Sequence, residues 1–568
     1  MLAEHATARG GGARAESWLE VGQPGSLGSP TSSQPPMASS QAEGLQSVEI
    51  PDYGLAYPNV TDGATLSRDQ VFVADAVVVG TGAGGATAAA RLRDAGLDVL
   101  MLEEGALHRT QSFTADVLQM MRQLYRDGGA SMILGRPLIP FAEGKCVGGS
   151  TVIGGGICCR APERVLQRWE RVLGLEGLGP VAMEPYFVEA ERILDVEPNH
   201  DDTLGHNSRL FVEGARRLGW PVVRSARNMD RCVGLNNCVL GCPTGAKRAM
   251  HVTAIPRALT MGASLITRAR VDRVLFLGTR AVGVRGRLLG EDGQARCRFQ
   301  AHAPLVVLAA GARHTPGILK RSRLRARAIG RGLHTHPSAS VVGVMDERID
   351  PWIGTHQAFE VHHFLDERVL IGYAATPPGI LAVRLPGLGT DHAEQMRQYN
   401  YMFTATALIE DESEGRVILG PDREPYLIFR LGRRDVERVH RGVALTAELL
   451  FAAGARRVLL PFSDLSALEN AEEVRLVYER PPVAATMELR TVHIMSTARM
   501  ATRPRRGATD GCGAVYGVDG LVVADASVLP SSIGVSPQET IVAVTLRNAD
   551  RWIDMVGERR RGTVRAPR

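Results

Sequence analysis

The sequence lacks the features that mark a membrane-spanning or disulfide-stapled protein. No apolar run reaches the roughly 18 residues that a transmembrane helix needs, and the N-terminus has no secretory apolar core. Eight cysteines in 568 residues are too few for a disulfide scaffold. These absences predict a cytoplasmic globular protein without a transmembrane segment; export together with a partner subunit stays an alternative.

The sequence also lacks a strong charge of one sign. Its formal net charge is +5. Basic residues cluster from Arg321 to Arg331 and again from Arg559 to Arg561. Single-stranded nucleic-acid grooves combine such clusters with aromatic side chains, and none are interleaved here. Nucleic acid is therefore not an expected partner.

One stretch, Val77 to Gly105, contains the pattern of a βαβ unit. An apolar run enters a glycine cluster in which Gly80, Gly82 and Gly85 fit G-x-G-x-x-G. An alanine-rich helical segment follows, and then a second apolar run that ends at Glu103. Glycines at these places permit a tight turn, close approach of a pyrophosphate and close helix–strand packing, while the acid suits ribose hydroxyls. The unit predicts a bound dinucleotide.

The rest of the chain divides by pattern. Residues 1–47 are rich in Gly, Ser, Pro and Ala and are expected to be disordered. Residues 338–485 carry alternating stretches that predict a large antiparallel sheet. The last part contains the apolar run Leu521 to Ala524, which has the same pattern as the runs of the βαβ unit. The chain is therefore expected to return there to the nucleotide-binding domain. The predicted fold class is α/β: a Rossmann-like nucleotide-binding domain with an inserted α+β substrate domain built on an antiparallel sheet.

Several separated blocks together resemble the glucose–methanol–choline (GMC) oxidoreductase family, which binds FAD. They are the βαβ unit, Gly144 to Thr151, Gly311 to Ser322, Ile329 to Pro337, Thr491 to Met500 and Asp519 to Pro530.

The resemblance implies an FAD site and a domain plan. Its cofactor residues would be Gly80, Gly82, Gly85, Glu103, Gly148, Gly149, Ser150, Thr151, Asp525 and Ala526. The FAD-binding domain would comprise residues 70–337, including a cysteine segment at 231–247, and residues 486–556. The substrate domain would be 338–485, and 557–568 a basic tail.

The resemblance also implies catalytic residues. His493 stands where the family carries its catalytic histidine, and histidine can act as a base at neutral pH. Ser536 replaces the asparagine of the family's Gly-Val-Asn-Pro loop. A serine hydroxyl still forms hydrogen bonds, but it is shorter. This is the main departure from the family pattern.

Three bunched cysteines, Cys232, Cys238 and Cys242, need their own explanation. Four alternatives are open: an iron–sulfur cluster, zinc with His251 or another group as fourth ligand, a disulfide between two of the cysteines, and free buried thiols. The segment resembles that of bacterial FAD-dependent glucose dehydrogenase subunits, which implies a cluster and an electron-transfer partner subunit. It also resembles long-chain alcohol oxidases, for which no cluster is implied.

The predicted function follows from the family. It is oxidation of the CH–OH group of an alcohol, sugar or sterol-like substrate, with hydride transfer to flavin N5 and His493 as base, by a dehydrogenase or an oxidase (EC 1.1). Two alternatives are a lyase similar to fatty-acid photodecarboxylases, which share the fold, and a flavoprotein with weakened catalysis.

Overall fold

The computed structural model describes residues 57 to 560, apart from 375, 383–384 and 386–388, and omits the side chains of 557–560. The predicted disordered extension 1–47 lies outside the described residues, as do residues 561–568 of the predicted tail. Within the described part of the chain, no helix is long and apolar enough to cross a bilayer.

A six-stranded parallel sheet forms the centre of the nucleotide-binding part. Its spatial order is Val60–Asp62, Ser264–Thr267, Val99–Leu102, Ala76–Val79, Leu305–Leu308 and Leu521–Val523. The four strands from Val99–Leu102 to Leu521–Val523 are buried along their whole length, which is why they read as continuous apolar runs. The predicted return of the last part of the chain to the first sheet is confirmed.

A second sheet in this part of the chain has four strands. Its order is Ala269–Leu277, Arg280–Leu289, Ala295–His302 and Gln70–Val73. The first two strands pair antiparallel and form a hairpin. Ala74 and Asp75 separate two short strands, Gln70–Val73 and Ala76–Val79, which join different sheets.

A seven-stranded antiparallel sheet forms most of the second part. Its order is Ala467–Leu468, Ala455–Leu459, Ser338–Met345, Met402–Ile409, Val369–Tyr373, Phe359–Val361 and Val222–Arg224. The long helix Arg433–Ala452 packs on this sheet and shares its core. The sheet confirms the predicted antiparallel architecture. Its edge strand Val222–Arg224 comes from outside residues 338–485, so the sheet is larger than the predicted segment.

Two small sheets complete the strands. One has the order Arg331–Leu333, Gly415–Leu419, Pro425–Ile428, Met132–Leu134 and Ile139–Pro140; the other pairs Val196–Pro198 with Ala226–Asn228.

The other α-helices surround these sheets. They are Ala83–Asp94, Val117–Leu124, Ser150–Ile153, Glu163–Gln167, Pro180–Leu194, His206–Arg217, Ala254–Thr260, Gly311–Arg321, Pro378–Ala382, Gly389–Arg397, Val474–Glu479 and Gln538–Arg560, with a π-helical turn at Arg168–Val172. The last helix continues to Arg560, and thus extends into the predicted basic tail, 557–568. Helices Ala83–Asp94, Pro180–Leu194 and Gln538–Arg560 pack on one another beside the parallel sheet.

Candidate active site

One cavity of about 1290 Å³ is lined by residues of both the parallel sheet and the seven-stranded sheet. It is larger than the roughly 300–1,000 Å³ of an ordinary small-molecule site. The loops after the parallel strands line one side, and residues of the seven-stranded sheet such as Ser340, Leu370 and Leu408 line the other. Open α/β sheets bind ligands at the carboxyl ends of their strands. The cavity therefore has room for a dinucleotide and a second ligand.

The predicted glycine turn follows the strand Ala76–Val79. Gly80 has φ +98° and lies against Ala309 O, where a Cβ would stand only 2.3 Å away. Gly85 lies against Gly80 O, at 2.0 Å for the same construction. A Cβ on Gly82 meets nothing within 4 Å, and Gly82 precedes the helix Ala83–Asp94 without a side-chain cap. The open position at a helix N-terminus fits a pyrophosphate.

The predicted acid Glu103 ends the strand Val99–Leu102 and lines the cavity. Its Oε2 accepts hydrogen bonds from Thr81 N at 3.0 Å and Thr81 Oγ1 at 2.7 Å, and its Oε1 accepts one from Gly105 N at 2.9 Å. Burial raises the pKa of this carboxyl. Because each carboxylate oxygen has two acceptor sites, Glu103 can still bind a ribose hydroxyl.

The loop Gly148 to Thr151 crosses over the glycine turn. Gly148 N donates to Thr81 Oγ1 at 3.1 Å, and a Cβ on Gly149 would stand 3.0 Å from Gly82 Cα. Thr151 Oγ1 donates to Gly148 O at 2.7 Å and accepts from Met250 N at 3.0 Å. Gly149, Ser150 and Thr151 line the cavity, whereas Gly148 lies behind them. The Thr151 hydroxyl thus holds the loop rather than facing a ligand.

Asp525 and Ala526 follow the last parallel strand and line the same cavity. The Asp525 carboxylate accepts from Gly311 N at 3.0 Å and Ser527 N at 2.8 Å, and also from the hydroxyls of Thr315 and Ser527. Burial raises its pKa. Asp525 therefore ties the turn after Leu305–Leu308 to the end of Leu521–Val523.

At the other end of the cavity, His493 forms a pair with His336. Their Nδ1 atoms lie 3.2 Å apart, and the rings meet edge to face with centroids 5.3 Å apart. His336 Nε2 accepts hydrogen bonds from Gly534 N at 2.9 Å and Ile533 N at 3.3 Å. Neutral His336 therefore carries its proton on Nδ1 and donates it to His493 Nδ1. Neutral His493 then carries its proton on Nε2.

Burial keeps both rings of this histidine pair neutral. It lowers the pKa of His493 to about 3, with a smaller contribution from the neighbouring His336. It lowers the pKa of His336 to about 4, although Asp411 and Glu410 act in the opposite direction. The pair is thus uncharged at any ordinary working pH.

Asp411 fixes the segment that carries His336. Its Oδ1 accepts from Ser532 Oγ at 2.7 Å and His336 N at 3.3 Å, and its Oδ2 from Thr335 N at 3.0 Å. The sequence analysis included His336 in a family block but gave it no role. The repeated histidines in Leu-His-Thr-His-Pro were the available signal.

Ser536 half-faces the cavity from the loop that holds the histidine pair. Its hydroxyl donates to Ile157 O at 3.0 Å. The donor is therefore used within the protein, and its oxygen lone pairs remain available to a ligand. His493 and Ser536 line the same cavity.

A buried carboxylate that the sequence analysis missed also lines the cavity. Glu360 lies on the strand Phe359–Val361, and its Oε2 is 3.1 Å from His362 Nε2 and 4.0 Å from Cys159 Sγ. Strand alternation gives no signal for an acid with this placement.

Cys232, Cys238 and Cys242 do not line the cavity, although Val239 of the same segment does. All eight cysteines are free, so no disulfide joins Cys232, Cys238 and Cys242. Among the residues that the structure describes, no three His, Cys, Asp or Glu side chains are placed to hold a metal ion. His251, the suggested zinc ligand, packs against Phe113 with ring centroids 5.7 Å apart. The iron–sulfur and zinc alternatives find no support, and free thiols are the arrangement present.

Two buried cations lie beside these sulfurs. Arg227 Nη2 donates to Cys238 Sγ at 3.2 Å. The Lys247 ammonium donates to the carbonyls of Val152 and Gly154 at 2.5 and 2.9 Å and interacts electrostatically with Cys238 and Cys242. Burial lowers the pKa of Lys247 to about 8. Such surroundings disfavour a divalent metal ion at the three sulfurs.

Comparison with protein families gives consistent matches. Residues 121–338 and 411–545 match the N- and C-terminal family models described as GMC oxidoreductase, and residues 75–118 match one described as FAD binding domain.

Individual relatives support the same assignment. An uncharacterized GMC-type oxidoreductase of Mycobacterium tuberculosis is 35% identical over 89% of this chain and 80% of its own length. A long-chain-alcohol oxidase of Arabidopsis thaliana is 27% identical over 86% of this chain and 67% of its own length. The crystal structure of pyridoxine 4-oxidase from Mesorbium loti has a TM-score of 0.66 at 19% identity, covering 84% of this chain and 99% of that one. The last likeness shows the fold.

Proposed function

The chain belongs to the GMC oxidoreductase family, and on this premise we propose that it is an FAD-dependent enzyme that oxidises the CH–OH group of an apolar alcohol. The observation that carries the proposal is the single cavity. It runs from the glycine turn to the His493–His336 pair. A cofactor at the first place and an alcohol at the second would therefore share one enclosed space.

The residues at the glycine turn fit FAD. Gly82 leaves space at the N-terminus of Ala83–Asp94, and Glu103 presents a carboxylate at the end of the next strand. Gly149 and Ala526 bound the same part of the cavity. FAD bound there would supply the hydride acceptor for alcohol oxidation.

Part of the cavity lining favours an apolar substrate body. Aliphatic and aromatic side chains from several elements line it: Val117, Leu118, Met121, Met132, Leu138, Phe141, Ile153, Leu370, Leu408 and Leu489. Apolar walls with a few placed polar groups are typical of sites that hold hydrophobic ligands. The relatives named long-chain-alcohol oxidases support the same substrate class.

His493 is the group proposed to bind the reacting hydroxyl. In the observed arrangement its Nε2 carries the proton, so it donates a hydrogen bond to the substrate oxygen and positions the alcohol. To accept the hydroxyl proton at Nε2, His493 needs its own proton on Nδ1. The pair allows this only when His336 stops donating from its Nδ1. The predicted base role therefore requires a tautomer change in both rings.

The test is anaerobic flavin reduction by a panel of 1-dodecanol, glucose and cholesterol. We expect dodecanol to reduce the flavin fastest. We expect His493→Ala to keep FAD but lose about 10²–10⁴-fold in rate, the usual contribution of a positioned acid or base. His200→Ala, a change at a largely exposed histidine, is the matched control. Purified protein without flavin, or wild-type rates in His493→Ala, would reject the proposal.

A further inference from the structure

Exposed apolar side chains cluster at the opening of the cavity. The cluster, here called the rim, consists of Leu118, Met132, Leu134, Leu138 and Val492. Leu118 is 68% exposed and Val492 is 61% exposed. All except Leu134 also line the cavity. Leu134 points to the same face of its strand as Met132, since both flank the buried Ile133.

Local structure explains why the rim is exposed. The helix Val117–Leu124 starts at Asp116, whose carboxylate accepts from Gln119 N at 2.9 Å. The helix buries Met120 and Leu124, which leaves Leu118 and Arg122 together on its outer face. The hairpin Met132–Leu134 with Ile139–Pro140 exposes Leu134, Arg136 and Leu138 around its turn.

We propose that the rim is a docking surface for an anionic lipid bilayer. Scattered exposed apolar residues are ordinary, but a contiguous group at a cavity opening marks an interaction site. Arg122 and Arg136 are exposed within the rim, and basic side chains among apolar ones suit anionic headgroups. Two acids are also exposed in this region: Asp116, which caps the helix Val117–Leu124, and Glu488 in the cavity lining.

A bilayer fits this surface better than a protein does. A protein seated on the rim would cover the opening through which a substrate enters. A bilayer placed there would bring the apolar molecules dissolved in it directly to the opening. The inference goes beyond the proposed oxidation, because docking requires no turnover and is measured without a substrate.

The experiment is co-sedimentation of the FAD-loaded full chain with vesicles. Equal parts phosphatidylcholine and phosphatidylglycerol are compared with phosphatidylcholine alone. We expect binding to the anionic vesicles that weakens at 0.5 M NaCl. Leu134→Glu and Arg136→Glu should each weaken it by about tenfold, since one removes apolar burial and the other reverses a charge. Neither residue lines the cavity.

The controls make the same change elsewhere. Val181→Glu alters a side chain that is 90% exposed on the helix Pro180–Leu194, and Leu277→Glu alters an exposed strand end. Both should bind like the wild type. Circular dichroism and flavin absorbance verify that each variant is folded. Absence of wild-type binding, or equal losses in rim and control variants, would overturn the proposal. So would a rim variant that changes only self-association in sedimentation velocity.

Discussion

His336 determines which nitrogen of His493 carries the proton. Two backbone N–H groups, from Ile533 and Gly534, point at His336 Nε2 and leave its proton on Nδ1. Asp411 holds the backbone of the same segment. His336 is thus a positioning residue: it acts on the substrate only through His493.

Replacing His336 should change both rate and pH dependence. Burial is the larger cause of the lowered pKa of His493 and persists in His336→Ala, which removes only the smaller cause, so this pKa should rise but stay well below its ordinary value near 6.5. We expect flavin reduction to fall by about tenfold or more through misplacement of His493. The acid-side inflection that His493 contributes to the pH profile should therefore move to higher pH than in the wild type.

A conservative variant separates positioning from loss of structure. His336→Asn keeps one acceptor and one donor, and should recover part of the rate, although it shifts the acid-side inflection as His336→Ala does. The measurement is the pH profile of anaerobic flavin reduction for all three proteins. Identical profiles in the wild type and His336→Ala would contradict the tautomer assignment.

Ser536 allows a second prediction at this scale. Ser536→Asn should keep FAD and should raise turnover or shift substrate preference, because the longer amide reaches further into the cavity that Ser536 lines. Ser536→Ala, which removes the bond to Ile157 O, is the control. Steady-state kcat/KM across the alcohol panel is the measurement. Behaviour like the wild type on every substrate would show that position 536 does not contact the substrate.

The glycine turn and its helix give the prediction at the scale of one element. A Cβ at position 82 meets nothing within 4 Å, whereas one at position 84 would stand 1.7 Å from Ala524 O. Gly82→Ala should therefore fold but lose FAD affinity, because the methyl group takes the place of an approaching phosphate. Gly84→Ala should lower stability even without FAD, because the helix can move away from Ala524 only with a loss of packing free energy. Flavin titration and thermal unfolding of the flavin-free proteins distinguish these effects; equal FAD affinity in Gly82→Ala and wild type would count against the phosphate site.

Elements that depend on neighbouring residues could be predicted from the sequence. The βαβ unit and the hairpin Ala269–Leu277 with Arg280–Leu289 follow from local periodicity and glycine chemistry. The His336–His493 contact joins residues 157 apart, and the strand Val222–Arg224 joins a sheet built mainly from later residues. Neither leaves a periodic signal. The metal site suggested by the three cysteines also depended on spacing alone. Spacing does not show that Arg227 and Lys247 lie beside the sulfurs.

On the scale of the whole molecule, the cavity couples the two parts of the chain. The parallel sheet contributes the loops after its strands, and the antiparallel sheet contributes the apolar wall. The segments with His336 and His493 lead to and from the second sheet, at Ser338 and Arg490, which pair with each other. The same polypeptide connections thus place the histidine pair at the junction.

Global stability should respond to one buried histidine outside the cavity. His251 is buried, and burial lowers its pKa to about 3. The unfolded chain binds a proton at this residue below about pH 6.5 and the folded chain does not. Its contribution to stability is therefore present above pH 6.5 and is lost as pH falls towards 3.

An apolar ring of similar shape, in His251→Phe, removes this loss and keeps the packing against Phe113. Relative to the wild type, the variant should gain about 2 kcal/mol between pH 7 and pH 5. Urea unfolding at both pH values measures the difference, and His200→Phe is the control. A constant difference between the two pH values would mean that His251 titrates normally in the folded protein.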